Sequence, residues 1–310
     1  MASSKRVLVT GGAGFIGSHI VDAYTAAGHD VWVADDLSTG LRANLSTSAR
    51  LHVGDFAGAE ALDLIRRERI QVVNHQAAQV DVRVSVEDPA GDAEQNIVRT
   101  LRLLQRCQSS SVEKFIFASS GGAIYGDPQS YPQTEEHPRM PLSPYGCAKL
   151  AVENYLHYFE AVHGLRSVRL RYANVYGPRQ SNRGEAGVVA IFATRVLRGE
   201  RLDINGSGEQ TRDFVFIDDV VRANLAALNG DITGAFNVGT GAETSVNTIA
   251  ALLQELAGRS VEVVHQAPKL GEQMRSVLDG TKLRAEAGLP EPVQFLSGLR
   301  RTWEWFMETQ

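Results

Sequence analysis

Short apolar runs rich in β-branched residues recur along the first half of the chain, at 6–10, 31–34, 51–53, 72–74, 115–119 and 168–171. Each is too short and too continuously apolar for an amphipathic helix and reads as a strand buried on both faces. Between the first two, Ile16, Ile20, Ala23, Tyr24 and Ala27 fall at helical spacing, and Gly28 supplies a stop. This alternation predicts an α/β fold, a parallel sheet covered by helices on both faces and, with right-handed crossovers, a doubly wound Rossmann architecture. The rhythm breaks at 127–144, where Pro128, Pro132, Pro138, Pro141 and Pro144 exclude any regular element. So long a connection inside a compact unit points to function. Beyond Gly177 the pattern loosens, with Gly184, Gly187, Gly199, Gly206 and Gly208 as punctuation. The expected division is a main unit over 1–177, whose sheet the chain rejoins around 213–240, and a smaller α/β lobe from 178–212 and 241–310.

Composition narrows the class. Of 310 residues, 43% are hydrophobic and 22% charged, the balance of an ordinary globular protein. No apolar run approaches the length of a transmembrane helix, and MASSKRVLVT passes into the first strand without the apolar core of a secretory leader. Two cysteines, Cys107 and Cys147, suit a reducing compartment, so a cytoplasmic enzyme is expected. A net charge of −5 weighs against a nucleic-acid binder, whereas a few local arginines suffice for an anionic small molecule.

Positions 10–17 read TGGAGFIG, directly after a strand and opening a helix. Gly11, Gly14 and Gly17 permit a tight turn, close approach of the backbone to a pyrophosphate, and close helix–strand packing. The helix start, with Phe15 and Ile16 in its first turn, then offers backbone N–H groups to phosphates. Asp35 and Asp36 end the second strand, eighteen and nineteen residues past Gly17, where a carboxylate can accept bonds from an adenosine ribose. The same charges repel a 2′-phosphate, so the expected cofactor is NAD.

Residues 143–149 read SPYGCAK. Ser143 can cap a helix and Pro144 can begin it, which sets Tyr145 and Lys149 four apart on one face. An ordinary tyrosine is about 0.1% phenolate at neutral pH, and a neighbouring ammonium favours the phenolate. Such a base could take a proton from a sugar hydroxyl while hydride leaves the same carbon.

With these residues in order, the chain resembles the extended short-chain dehydrogenases/reductases, and among them the UDP-glucose 4-epimerases. TGGAGFIGSH, the GD at 54–55, HQAAQ at 75–79, Asn96, ASSGGAIYG at 118–126, YGCAK and RYANVYGPRQ at 171–180 carry the resemblance over nearly the whole length. It implies a catalytic Ser120 beside Tyr145 and Lys149, with Ser119 as a possible substitute that also lines the cofactor. It implies Asp55 by the adenine, Ala77, Ala78 and Asn96 beside the cofactor, and Tyr172 near the nicotinamide. For the substrate it implies Asn174 and Arg212 at the diphosphate, Val189 and Asn205 around the base, and Lys269, Arg275 and Ser276 near the sugar. Homodimers joined through two helices are common in the family, and 95–107 and 148–163 are the candidates here.

The scaffold serves several reactions that share an oxidation at sugar C4. Related dehydratases carry an Asp–Glu pair after the strand-end hydroxyl, and UDP-glucuronate decarboxylases a glutamate. Here Gly121, Gly122 and Ala123 occupy that stretch and transfer no protons. The leading expectation is therefore 4-epimerisation of a UDP-hexose through a transient 4-keto sugar. Ser276 stands where a tyrosine restricts some epimerases to non-acetylated sugars, so N-acetylhexosamines stay open. UDP-glucuronate epimerisation, other nucleotide-sugar reactions of the family and a non-catalytic NAD-binding protein are the alternatives.

Overall fold

The computed structural model describes residues 4–181, 187–268 and 273–309. The chain lays down β1 (Arg6–Thr10), β2 (Asp30–Asp35), β3 (Arg50–Val53), β4 (Val72–His75), β5 (Lys114–Ser120) and β6 (Arg166–Tyr172). It leaves the main sheet through β7 (Asn174–Tyr176), β8 (Leu202–Asn205), β9 (Thr211–Arg212) and β10 (Phe214–Phe216), and returns as β11 (Gly234–Val238). The seven-stranded sheet has the order β11-β6-β5-β4-β1-β2-β3, with every pair parallel. All six apolar runs lie inside these strands, and the return comes where Phe236 marked it.

The order reverses at β1, which pairs with β2 on one side and β4 on the other. Thr10 and His75 face each other at the carboxyl end of that junction. In an open parallel sheet this crevice is where a ligand binds, because the loops from the two strands diverge there.

Helices α1 (Phe15–Ala26), α2 (Ala59–Arg67), α3 (Val82–Glu87) and α4 (Pro89–Ala93) come first, followed by a π-wound stretch Glu94–Val98. Then come α5 (Arg99–Gln108), α6 (Gly121–Ile124), α7 (Pro144–His163), α8 (Val188–Arg198) and α9 (Ile217–Asn229). Strand β12 (Thr244–Ser245) leads into α10 (Val246–Ala257), and β13 (Val263–Gln266), β14 (Arg275–Ser276), α11 (Thr281–Ala287) and α12 (Phe295–Thr309) complete the chain.

Strand pleating sorts side chains between two cores. Leu8, Phe115 and Phe117 join Ala61, Leu64, Leu103, Val152 and Leu156 beneath α2, α5 and α7. Val7, Val9 and Ile116 turn the other way, onto Ile20, Tyr24, Val220 and Ala227 of α1 and α9. That second core continues into α8, α10 and α12 through Phe192, Leu253 and Trp303. The later lobe is therefore built onto the sheet by continuous packing.

Residues 127–143 form no helix or strand apart from one bridge, Gln133 to Leu278. The segment is fastened to residues 273–279 instead. Gln273 Nε2 donates to the Gly126 carbonyl (2.6 Å), the Arg275 guanidinium lies 3.8 Å from the Tyr131 ring centroid, and Gln133 N–H donates to Val277 O (2.7 Å). Among the described residues no helix is long and apolar enough to cross a membrane.

Candidate active site

The glycine-rich turn lies at the β1–β4 junction. Gly11 has φ +66°, and a Cβ there would come within 2.7 Å of the Ala77 amide nitrogen. A Cβ on Gly17 would run into the Gly11 carbonyl oxygen. The turn thus packs against β1's neighbour at one end and its own helix at the other. Only glycine fits either place. The first intrahelical bond of α1 runs from Ser18 N–H to Gly14 O, so the amides of Phe15, Ile16 and Gly17 precede it and face the crevice end of the helix. This cradle fits a dinucleotide pyrophosphate.

Asp35 is buried and accepts N–H bonds from Ala13 (2.8 Å) and Leu37 (2.9 Å), so its carboxylate fixes the glycine turn as well as ending β2. Asp36 is exposed. Burial pushes its carboxyl up, but the Ser38 hydroxyl and amide outweigh that and hold it below the ordinary range. No arginine adjoins this pair in sequence, yet the fold brings Arg99 to 3.6 Å from Asp55, within electrostatic reach of Asp36.

Ala77 and Ala78 follow β4 and are half-buried. The Asn96 amide is bonded within the protein. Its Oδ1 accepts from Gln79 N–H and its Nδ2 donates to Gln79 O and Asp92 Oδ1, each at 2.9 Å. It holds the 76–79 turn in place from behind. Tyr172 is likewise pinned, its hydroxyl accepting from Asn224 (2.8 Å) and Gln76 (3.3 Å), and burial raises it to about 12.

Ser143 caps α7 through Gly146 N–H, Pro144 opens it, and Gly164 closes it with φ +71°. Tyr145 stays half-exposed at its start, whereas Lys149 is buried one turn on. Lys149 Nζ donates to Ala118 O (2.8 Å), and lies 4.8 Å from the Phe117 ring centroid and 5.6 Å from that of Tyr145. Burial lowers its pKa to about 8, opposed by the charge of Asp92. His75, bonded to Thr10 (2.6 Å) and Thr100 (3.0 Å), is pushed down to about 3 by burial and the Lys149 charge, and is a neutral spacer between them.

The serines at the end of β5 part ways. Ser119 is buried, and its hydroxyl donates to Glu153 Oε1 (2.6 Å). Ser120, the next residue, has the opposite direction and remains half-exposed at the strand end. Beyond it, Leu278 occupies the space over Gly121, and the Asn174 amide oxygen comes within 3.6 Å of where a Gly122 Cβ would lie. Asn174 is thus brought to the serine end of the sheet.

On the substrate side, Arg212 and Ser276 are paired across β9 and β14, with Ser276 buried. Arg275 precedes Ser276 in the strand and so faces the other way. Its exposed guanidinium bonds Glu243 at 2.8 and 2.7 Å and stacks on Tyr131. Val189 is wholly buried in the core by its side chain, which leaves only its first-turn backbone amide in α8 for a ligand. Asn205 ends β8 half-exposed, and its carbonyl accepts from Gln210 (3.0 Å). Lys269 lies outside the described residues.

The sequence reading passed over three buried acids. Glu153 continues the Tyr145–Lys149 spacing by another four residues and meets Arg171. Asp92 is clamped by Gln79 and Asn96. Asp213, next to Arg212, accepts from Thr240, Gly241 and Leu278, fixing the turn after β11. Only the four-residue spacing of Glu153 was a usable signal. Among the described residues no cluster suited to a metal ion occurs.

The chain is similar to known proteins over nearly its whole length. Residues 7–239 match the NAD dependent epimerase/dehydratase family. The chain is 42% identical over 308 residues to a UDP-glucose 4-epimerase of Mycolicibacterium smegmatis, covering 97% of this chain and 98% of the relative. It is similar to the crystal structure of a UDP-glucose 4-epimerase with UDP-glucose from Thermotoga maritima, with TM-score 0.95 and 46% identity, over 98% of this chain and 99% of that one. A Thermus thermophilus UDP-glucose 4-epimerase complex with NAD matches with TM-score 0.93 and 44% identity, over 98% and 100%.

Proposed function

Because the chain belongs to the NAD dependent epimerase/dehydratase family, we propose that it inverts C4 of UDP-hexoses, interconverting UDP-glucose and UDP-galactose. It is an NAD-dependent enzyme of the UDP-sugar epimerase type. The observation that supports the finer reading is a Tyr145–Lys149 pair beside a strand-end serine that no acid or base follows. Tyr145 and Lys149 stand one turn apart, Ser120 ends the adjoining strand, and Gly121, Gly122 and Ala123 offer no acid or base for removing a C5 proton or expelling a C6 hydroxyl.

In this reading Ser120 hydrogen-bonds the C4 oxygen and Tyr145 takes its proton, with the Lys149 ammonium stabilising the phenolate. Bound NAD, cradled by Gly11–Gly17 and Asp35, supplies the acceptor and later the donor of hydride. The 4-keto sugar turns over while Asn174 and Arg212 retain the diphosphate, so that hydride would return to the opposite face of C4 while Tyr145 gives the proton back to the C4 oxygen. Arginine suits this hold through its planar fork. Residues 178–212 and 241–310 are the nucleotide-sugar lobe.

Ser276, small and buried, supports a second substrate class, the UDP-N-acetylhexosamines, because it stands where a bulky tyrosine restricts some epimerases to non-acetylated sugars. The uronate alternative loses support, because Arg275 is engaged by Glu243 on the surface. A homodimer through α5 and α7 suits the exposed Tyr155, Tyr158 and Val162 on the outer face of α7. Purified protein incubated with UDP- and dTDP-sugars without added cofactor, with products resolved by NMR, tests the proposal. Conversion of UDP-glucose to UDP-galactose is expected, and a 4-keto-6-deoxy product overturns it.

A further inference from the structure

Glu153 lies eight residues after Tyr145 and four after Lys149, so all three fall near one stripe of α7. It is 3% exposed, and its partner Arg171 on β6 is 2% exposed. The two are joined bidentately, Arg171 Nε to Glu153 Oε1 at 3.0 Å and Nη2 to Oε2 at 2.7 Å. The pair has two further attachments. Glu153 Oε1 accepts from Ser119 at 2.6 Å, which anchors the end of β5 one residue before Ser120. Arg171 Nη1 donates to Tyr125 Oη (2.9 Å) and Glu135 O (3.2 Å). Tyr125 donates onward to Asn237 Oδ1 (2.7 Å), and Asn237 bonds both the Glu135 carboxylate and the Gln133 carbonyl. One ion pair therefore touches the tyrosine helix, the serine strand, β6 and the proline-rich segment.

Stability alone does not account for such a pair. Withdrawing two charges from water costs several kcal/mol per ion, and well-packed apolar replacements are often as stable or more so. What apolar residues could not do is fix four elements at hydrogen-bond distances and set the direction of Ser119. Were Ser119 released, the end of β5 would lose its side-chain tie to α7, and Ser120 beside it would be held less firmly.

We propose that Glu153 and Arg171 are positioning residues for the reaction, setting Ser120 against Tyr145 and tying both to the segment 125–135. This rests on the epimerase reading for its kinetic consequence, but its geometric consequence is independent of it. A misplacement of about 1 Å can cost on the order of 100-fold in rate without touching the chemistry.

The test uses the NAD-loaded enzyme with Glu153→Met and Arg171→Met combined, which leaves no unpaired buried charge. The double variant is expected to fold and retain NAD, with kcat reduced about 100-fold and KM close to wild type. Ser119→Ala, which leaves the ion pair intact, is expected to lower kcat by roughly tenfold, with Ser119→Thr restoring it. Crystal structures of both variants are expected to show the Ser120–Tyr145 separation changed. Wild-type kcat in Ser119→Ala, or an unmoved Ser120–Tyr145 separation in both variants, overturns the proposal. Wild-type enzyme inactive on every UDP-sugar would remove the epimerase reading, and the two structures would still decide the positioning claim.

Discussion

Leu278 fills the space that a side chain at Gly121 would need. The glycine after the serine strand is there because a residue from the far end of the chain packs onto it, together with Ile124 and Tyr125. Gly121→Ala is expected to destabilise the protein by about 1–3 kcal/mol through overpacking, read as a lowered Tm. Adding Leu278→Ala should recover part of that loss, and strictly additive effects in the double-mutant cycle would refute the packing relation. Gly121→Asp should lose stability without gaining dehydratase activity.

Lys149 is expected to set the alkaline edge of activity. Its ammonium is present below about 8 and lost above it, so kcat is expected to fall with a midpoint near 8 as pH rises. The contribution to stability runs the other way. Between about 8 and the ordinary lysine value near 10.5, the unfolded chain holds the proton more tightly than the fold does, so rising pH relieves the burial of charge at this site. Activity and this part of the stability should diverge over that window. A kcat–pH profile that stays flat to pH 10 would exclude the lysine's role.

The two serines are expected to separate kinetically. Ser120→Ala should lower kcat by at least about 100-fold, the usual loss for one hydrogen-bond donor to a reacting oxygen. That is well beyond the effect expected at Ser119, whose hydroxyl is held by Glu153. Equal losses in the two variants would contradict the assignment.

Gly17→Ala places a methyl against the Gly11 carbonyl and forces the turn open. Most of the purified variant is expected to lack NAD, as measured by absorbance of the supernatant after denaturation, while far-UV circular dichroism stays near wild type. Full cofactor occupancy would argue that the turn does not hold the pyrophosphate.

Ser276→Tyr is expected to suppress turnover of UDP-N-acetylglucosamine by more than about tenfold while sparing UDP-glucose. Wild-type enzyme inactive on the acetylated sugar would dispose of the wider specificity at once.

The strands were legible because runs such as VLVT and FIFAS are buried on both faces and need no tertiary knowledge to recognise. The glycine turn and the Tyr145–Lys149 spacing were legible for a similar reason, since each is set by local backbone geometry. What spacing could not supply was direction. Pleating puts the two serines on opposite faces, but only the fold shows that Glu153, 34 residues on, receives Ser119, and that Glu243 and Tyr131 receive Arg275. The hold of Asn96 on Gln79 emerges only once the π-wound stretch is in place.

The fastening of residues 126–133 to 273–279 makes two distant stretches of chain one unit for local opening. Gln133 N–H and Asp279 N–H are donors in the same small patch, to Val277 O and Gln133 O. Neither can reach solvent until the shared bridge parts, so their amide protons should exchange at closely matched rates despite lying far apart in sequence. A protease that nicks the proline-rich stretch would then be admitted by the same fluctuation that frees the C-terminal one.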